Sequence, residues 1–153
     1  MYSTDSSKLE NIQMLLTDQQ ADQICDLLKD RNELTRHYSR VEILSAEYRC
    51  RFSGAEVIAC VELKKVQWYQ SEVRHLAVAL KHERQGHAKA LIQEVERQAI
   101  LDHSRLLQCT IRESNVNSRM FFEHQGFRVV NQFHNQVSQN NVYVLQKTLV
   151  SAT

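Results

Sequence analysis

A short segment of the chain combines small residues with cationic ones where a predicted strand meets a predicted helix. Gly86, one of only three glycines in 153 residues, lies at this junction, and Ala88 follows two positions later. Small residues there let the backbone approach a bulky ligand closely. The free N–H groups and positive dipole end of a helix that begins at this point favour an anion. We therefore predict a phosphate or pyrophosphate site that is built from main chain.

The side chains around Gly86 favour the same kind of ligand. Those that are cationic, or can become so, are Lys81, Arg84, Lys89, His82 and His87. Only Glu83 opposes them, and we expect its carboxylate to turn to solvent. The local charge therefore agrees with the anion site that the backbone predicts.

A second pattern lies downstream and makes the first one specific. It is N-x-x-A/S-x-x-x-Y/F-x-x-x-G-F, and it falls on Asn115, Ser118, Phe122, Gly126 and Phe127. Residues 83–88 match Q/R-x-x-G-x-G/A except for Glu83 at the first position. With both patterns in this order, residues 72–130 resemble the GCN5-related N-acetyltransferase (GNAT) family.

The resemblance implies a reaction and a cosubstrate. The chain would bind acetyl-CoA and move its acetyl group directly to a primary amine of a small molecule or protein. The alternative is a binding module that holds acyl-CoA but catalyses weakly or not at all. A nucleic-acid-binding α/β domain is disfavoured, because the formal net charge is only +1 and no basic face is evident.

The resemblance also assigns positions to acetyl-CoA. The strand backbone that would bind the pantetheine arm belongs to Leu76, Ala77 and Val78, whose side chains we expect in the core. The pyrophosphate contacts would be Arg84, Gln85, Gly86, His87, Ala88 and Lys89, mainly through backbone N–H groups. Asn115 would contact the pantetheine, cap the following helix, or do both.

Two positions where relatives carry catalytic groups are occupied differently here. Many relatives have a tyrosine that acts as general acid in the second motif, and Phe122 stands at that position. N-terminal acetyltransferases of ribosomal proteins have a glutamate on the fifth strand, where this chain has Thr110. A phenyl ring cannot donate a proton, so the acid–base groups must lie elsewhere or be missing.

Two other residues are candidate bases. Glu72 falls where histone-acetylating relatives place their catalytic glutamate, and a partly buried carboxylate there could accept the amine proton. It could equally be a carboxylate at the strand edge, paired with Arg74 or Lys64. His75 is the second candidate, because its ordinary pKa is near neutrality. The alternative is a histidine whose hydrogen bonds are satisfied within the sheet.

The elements that must position these residues follow from periodicity. A central strand is predicted at 72–80, a helix at 87–102, a strand at 106–111 and a helix at 116–125 that ends at Gly126. Upstream, strands are predicted at 11–16, 48–52 and 57–63, with a helix after Thr17 and a short one within 31–45. A terminal hairpin is predicted within 127–150, and by analogy we expect a homodimer through it.

We predict the α/β (α+β) GNAT fold, in which a mixed, mostly antiparallel sheet of about six to seven strands is flanked by helices. The resemblance implies a splay between strands four and five. The acceptor should contact residues 31–45, the Trp68-Tyr69 turn and the last hairpin.

The composition fits one domain, 1–153, whose residues 1–8 we expect to form a flexible tail. The longest apolar runs are short strands, so we expect no transmembrane span and no membrane partner, and a cytoplasmic location is the default. Four cysteines without a C-x-x-C pair are expected to be reduced thiols, and no metal site is predicted.

Overall fold

A six-stranded sheet organises the protein, for which a computed structural model describes residues 15–32 and 36–150. The strands are β1 (Glu47–Ser53), β2 (Glu56–Gln67), β3 (Gln70–Val78), β4 (Leu106–Arg112), β5 (Arg128–Asn135) and β6 (Asn140–Thr148). Their order across the sheet is β1-β2-β3-β4-β6-β5. Only β3 and β4 are parallel, and the other neighbours are antiparallel. The predicted mixed, mostly antiparallel sheet is thereby confirmed.

The predicted fourth and fifth strands are β3 and β4 in this numbering. Residues 11–14 of the predicted first strand lie outside the described residues, as does the predicted tail, 1–8. Leu15 and Leu16 are not part of a strand. The central strand begins at Gln70, two residues before the predicted start.

Four α-helices of the described residues flank the sheet: α1 (Asp18–Arg31), α2 (Arg40–Leu44), α3 (His87–Leu101) and α4 (Val116–His124). The helix that was predicted after Thr17 starts with a capping box. The Thr17 hydroxyl accepts the N–H of Gln20 at 3.1 Å, and the Gln20 side chain accepts the N–H of Thr17 at 2.9 Å. No helix within residues 15–32 and 36–150 is long and apolar enough to span a membrane.

The sheet has a hydrophobic core on each face. On one face, α3 and α4 bury residues such as Leu91, Val95 and Phe122 against β2, β3, β4 and β6. On the other face, α1 and α2 bury Ile24, Leu28 and Ile43 against β1, β2 and β3. Among the described residues, the core beneath α1 and α2 includes none from β4 or β6. On that side of the sheet, the face formed by β4 and β6 is therefore partly exposed.

Candidate active site

The parallel strands β3 and β4 separate shortly after they begin. They pair only at Gln70–Leu106, Ser71–Leu107 and Glu72–Gln108. Beyond Glu72, β3 continues to Val78 while paired to β2, and β4 continues to Arg112 while paired to β6. The backbone edges that face each other across the gap are therefore not paired with each other, and the predicted splay is confirmed.

The open edge of β3 presents backbone donors to this gap. The N–H of Ala79 donates to the carbonyl of Ile58 on β2 at 2.8 Å. Because peptide groups alternate in direction along a strand, the N–H groups of Val78 and Leu76 face the opposite, open edge. The N–H group of Ala77 faces β2. Of the three predicted strand residues, Leu76 and Val78 can therefore offer a backbone N–H to a ligand.

Residues 84–89, which were predicted to bind phosphate and are called the phosphate turn below, lie at the start of α3. Gly86 is the residue before the helix and has φ +84°, a conformation that favours glycine. The first bond within the helix joins the Ala90 N–H to the Gly86 carbonyl at 3.0 Å. The N–H groups of the preceding first turn, including those of His87 and Ala88, therefore have no acceptor within the helix, and no side chain of the described residues caps them. Such free donors, together with the helix dipole, can accept an anion, and binding of one here stays a prediction.

All six predicted pyrophosphate residues lie at this turn. Arg84, Gln85, Gly86 and Lys89 are exposed, and His87 and Ala88 are half-buried. Arg84 also has a positive φ, +61°, which turns the chain sharply before Gly86. The site is therefore accessible to a ligand from solvent.

Glu83 does not simply turn to solvent as expected. Its carboxylate forms an ion pair with the guanidinium of Arg31, the last residue of α1, and the two side chains are 42% and 32% exposed. The Arg31 charge neutralises Glu83 beside the anion site. The mismatch to the family pattern at Glu83 is thus compensated by a residue from another element, which the sequence pattern did not reveal.

A second contribution to the turn comes from β1. Arg51 Nε lies 3.3 Å from His87 Nδ1, and the Gln85 side-chain oxygen lies 3.3 Å from a ring nitrogen of both His82 and His87. We call these four residues the histidine cluster. Burial, followed by the charges of Arg51 and His82, holds the pKa of His87 below its usual range. No spacing rule links β1 to the start of α3, so the sequence alone does not reveal the contact of Arg51 with His87.

Glu72 stands at the point where β3 and β4 separate. Its Oε1 lies 3.0 Å from Nε of Arg74, and its side chain is 18% exposed. The register places Lys64 opposite it on β2 and Gln108 opposite it on β4. The ion pair between Glu72 and Arg74, which is one of the two roles considered for Glu72, is therefore present.

His75 lies three residues beyond Glu72 and in an unusual backbone conformation. Its φ is +52°, and the β2–β3 register shifts between Cys60 and Glu62. Its Nδ1 lies 3.0 Å from the Tyr48 hydroxyl and 3.1 Å from Oε1 of Glu62. Burial, followed by the Glu62 charge, raises the pKa of Tyr48 well above its usual range, so this hydroxyl keeps its proton.

Asn115 lies directly before the first residue of α4, as predicted. Its Oδ1 accepts the N–H of Ser118 at 3.1 Å, and its side chain is exposed. The capping role of Asn115 is therefore observed, and contact with a ligand stays a prediction.

The Trp68-Tyr69 turn is placed at the closed end of the β3–β4 pair. The Trp68 ring contacts Tyr69 and lies 5.6 Å from the guanidinium of Arg105. Trp68 and Tyr69 precede β3, whereas the other end of this strand, Val78, leads toward the start of α3. The structure thus separates this aromatic pair from the phosphate turn.

Within residues 15–32 and 36–150, no three His, Cys, Asp or Glu side chains are grouped so that they could hold a metal ion. The four cysteines are free thiols, of which Cys60 and Cys109 are buried.

The comparisons with known proteins agree with this geometry. A family model described as an acetyltransferase (GNAT) domain matches residues 18–144. The chain belongs to the GNAT acetyltransferase family. No curated protein matches it by sequence.

Solved structures with low sequence identity share the fold of this GNAT domain. Ard1 from Thermoplasma volcanium is 15% identical with a TM-score of 0.79, over 88% of this chain and 95% of that one. The ribosomal-protein-S18-alanine N-acetyltransferase from Escherichia coli is 14% identical with a TM-score of 0.73, over 90% and 93%. A GNAT acetyltransferase from Elizabethkingia anophelis with acetyl-CoA bound is 19% identical with a TM-score of 0.70, over 81% and 89%.

The GNAT domain described here uses Phe122 as a core residue. Its ring is buried and lies 5.2 Å from the rings of both Phe121 and Phe127, in edge-on contacts. Thr110 is exposed on β4, opposite Val144 of β6. Neither residue brings an ionisable group to the gap, and Glu72 and His75 stay the predicted bases.

Proposed function

We propose that this protein is an acetyl-CoA-dependent N-acetyltransferase that moves the acetyl group directly to a primary amine of a small molecule or protein. The observation that carries the proposal is the gap between β3 and β4, which has unpaired backbone along one side and leads to the phosphate turn at the start of α3. A long ligand with an amide-containing arm and a pyrophosphate fits both parts.

The donor would lie along β3 and end at the turn. Its pantetheine amides would bind the open edge at Leu76–Val78 as an additional strand would. Its pyrophosphate would accept N–H groups within Arg84–Lys89, with Asn115 close to the arm. The relative from Elizabethkingia anophelis, which is solved with acetyl-CoA bound, supports this assignment.

The transfer needs a base for the acceptor. An amine is protonated near neutral pH, so it must lose a proton before it can attack the thioester carbonyl. Of the two predicted bases, we place His75 first, because one oxygen of Glu72 is engaged by Arg74. Since the thioester is already activated, positioning and polarisation by backbone N–H groups can supply much of the rate.

The acceptor stays open between small molecules and proteins. The relative from Escherichia coli acts on a protein, as its name states, and this supports the protein alternative. The open sheet face beside Glu72 carries Thr110 and the Gln108–Gln146 amide pair, whose side chains are 2.7 Å apart. These neutral groups favour an acceptor that is polar around its amine and carries no further strong charge there.

The second candidate function is an acyl-CoA-binding module with little or no catalysis. Phe122 favours it, because its ring packs in the core and cannot protonate a leaving thiolate. A required base at His75 or Glu72 would exclude this alternative.

Calorimetric titration with acetyl-CoA and CoA, followed by a thiol-release assay over a panel of amines and peptides, tests the proposal. Binding together with thiol release on any acceptor establishes the transferase. Binding without release on the whole panel favours the binding module. No binding of either ligand would refute the assigned donor site.

The surroundings of the site are also proposals. We propose one domain over 1–153, a cytoplasmic location and a homodimer through the hairpin of β5 and β6. In support of the dimer, β5 is an edge strand with exposed Val129, Val130 and Phe133. Light scattering at increasing concentration should show a rise toward twice the monomer mass, and a monomer at high concentration would refute the dimer.

A further inference from the structure

A cluster of polar side chains lies beneath the helices α1 and α2, next to the gap. It consists of Glu62 on β2, His75 on β3 and Tyr48 on β1, with side-chain exposures of 10% for Glu62 and 15% for His75. Tyr48 is only 3% exposed. Polar groups buried to this degree are costly unless they are paired, so the arrangement of their protons is constrained.

A β-bulge brings His75 to this cluster. Val73 packs in the core beneath α3, whereas Ala77 packs in the core beneath α1, although residues four apart in a regular strand share one face. The positive φ of His75 and the shifted register between them reverse the alternation. Bulges of this kind redirect a side chain and occur beside active sites, and a non-glycine residue with positive φ carries strain.

The carboxylate beside Nδ1 favours a proton on that ring nitrogen of His75. Nδ1 lies 3.1 Å from a Glu62 oxygen. If Nδ1 had no proton, its lone pair would face an ionised carboxylate at hydrogen-bond distance, which is repulsive. With the proton on Nδ1, the ring donates to Glu62, and the Tyr48 oxygen at 3.0 Å is a second neighbour of the same N–H.

The other ring nitrogen is then left as an acceptor. Within the part of the chain that the structure describes, Nε2 of His75 has no hydrogen-bond partner. The ring is covered on one side by Tyr38, in an edge-on contact with centroids 4.5 Å apart, from the segment between α1 and α2. That segment is where we expect the acceptor to bind.

We propose that Glu62 is a positioning residue that holds His75 with its proton on Nδ1, so that Nε2 accepts the proton of the acceptor ammonium. The inference rests on the proposed function. A carboxylate that orients a histidine and stabilises its charged form is a recurring solution in enzymes that need a base near neutral pH.

Acetyl transfer removes two protons from the acceptor nitrogen. The ammonium group gives one proton to Nε2, and the free amine forms a C–N bond to the thioester carbonyl carbon. The C–S bond breaks, and its electron pair goes to the CoA sulfur. The new amide nitrogen loses a second proton, which the thiolate takes, while the proton on Nε2 passes to solvent.

Charged and titratable groups face His75 from several elements of the fold. Glu62 and Tyr48 face it from β2 and β1, and the Cys60 thiol lies 3.7 Å from its carbonyl oxygen. Tyr38 faces it from the segment before α2, and the guanidinium carbon of Arg36 lies 4.2 Å from the centroid of the Tyr38 ring. On β3 itself, the neighbouring Glu72–Arg74 ion pair adds no net charge. Glu62 is therefore the dominant charge at the ring.

Glu62→Gln tests the proposal, because the amide has nearly the same shape and lacks the charge. Turnover should fall on the order of ten- to hundredfold, while the Kd of acetyl-CoA stays unchanged. The acid limb of the pH–rate profile should move to lower pH, because the charged ring loses the stabilisation of the carboxylate. Glu62→Asp keeps the charge but withdraws it, so it should lower turnover and leave the acid limb near its original pH.

Nitrogen chemical shifts of His75 provide a readout that does not require turnover. In the unmodified protein they should show the proton on Nδ1, and Glu62→Gln should shift the population toward Nε2–H, because the Tyr48 hydroxyl can then donate to Nδ1. Glu96→Gln, which removes an ion-paired carboxylate from α3 that contacts Lys147 at 2.7 Å, is the matched control and should change neither readout.

Two results would overturn the proposal. One is an unchanged tautomer and pH–rate profile in Glu62→Gln. The other is a double variant, Glu62→Gln with His75→Gln, whose losses in turnover multiply, since a positioning residue has no effect once its histidine is gone. If acetyl-CoA binds but no acceptor releases thiol, the proposed function fails separately, and the tautomer still decides whether Glu62 controls His75.

Discussion

A glutamate at position 86 would add both backbone strain and negative charge to the phosphate turn, and Gly54 offers a matched control for the strain. Both glycines are exposed and have positive φ, +84° at Gly86 and +59° at Gly54. A Cβ at either position would meet no atom within 4 Å, so neither substitution is excluded by crowding. The two changes therefore differ mainly in what lies beside them.

The expected magnitudes separate strain from charge. An L-residue in the left-handed region costs about 1–2 kcal/mol, so Gly86→Glu and Gly54→Glu should lower the free energy of unfolding by similar amounts. Two like charges about 4 Å apart repel by about 1 kcal/mol in water and about 4 kcal/mol near a protein surface. Gly86→Glu should therefore weaken CoA binding by about fivefold to about a thousandfold, whereas Gly54→Glu should leave it within about twofold.

Urea unfolding gives the stability of each variant, and calorimetric titration with CoA gives its affinity. Gly86→Ala separates the two effects further, because it carries the strain without the charge. If Gly86→Glu binds CoA as tightly as the unmodified protein, the phosphate does not lie at the start of α3. If Gly54→Glu loses affinity equally, the effect comes from strain rather than from the site.

The remaining predictions concern the charges around the turn and one buried cation. Arg31→Ala should weaken CoA binding about two- to tenfold by exposing the charge of Glu83, and adding Glu83→Gln should restore it; titration of the double variant decides. The pKa of His87 is held low in the free protein, and a bound phosphate would raise it. Binding should therefore take up protons and strengthen as pH falls from about 8 to about 6. Calorimetry in buffers of different ionisation enthalpy should show less uptake for His87→Asn and no change for His103→Asn. Arg49 is 4% exposed and hydrogen-bonded to side chains of α3. Arg49→Ala should lower the free energy of unfolding in urea by about 2–3 kcal/mol, and Arg49→Met should lower it by less. Equal losses for Ala and Met would mean that the lost charge and hydrogen bonds account for the whole effect and that packing of the side-chain stem contributes nothing.

The phosphate turn was predictable because it depends on neighbours in sequence. Gly86 supplies a positive φ, and the apolar spacing from Ala88 to Ala99 begins a helix directly after it. Helix starts and turns are decided by interactions over three or four residues, so a pattern can reveal them. The α4 cap at Asn115 was found for the same reason.

The groups that surround the turn and His75 could not be found in this way. Arg31 and Glu83 are 52 residues apart, and Arg51 and His87 are 36 apart, so no periodicity connects them. Tyr48 and Glu62 meet His75 only because the register of β1, β2 and β3 and one bulge bring them together. A register shifted by one residue would place each side chain on the other face.

By itself, the sequence determined the fold class, the family motifs and the position of the glycine turn before α3. These depend on backbone preferences and on the order of hydrophobic residues, which are properties of short segments. The tertiary structure alone decided that Arg31 neutralises Glu83, that Arg74 pairs with Glu72, and that Glu62 holds His75. The physical reason is that the charge and protonation of a side chain depend on whatever lies within about 4 Å of it, and those neighbours come from distant parts of the chain.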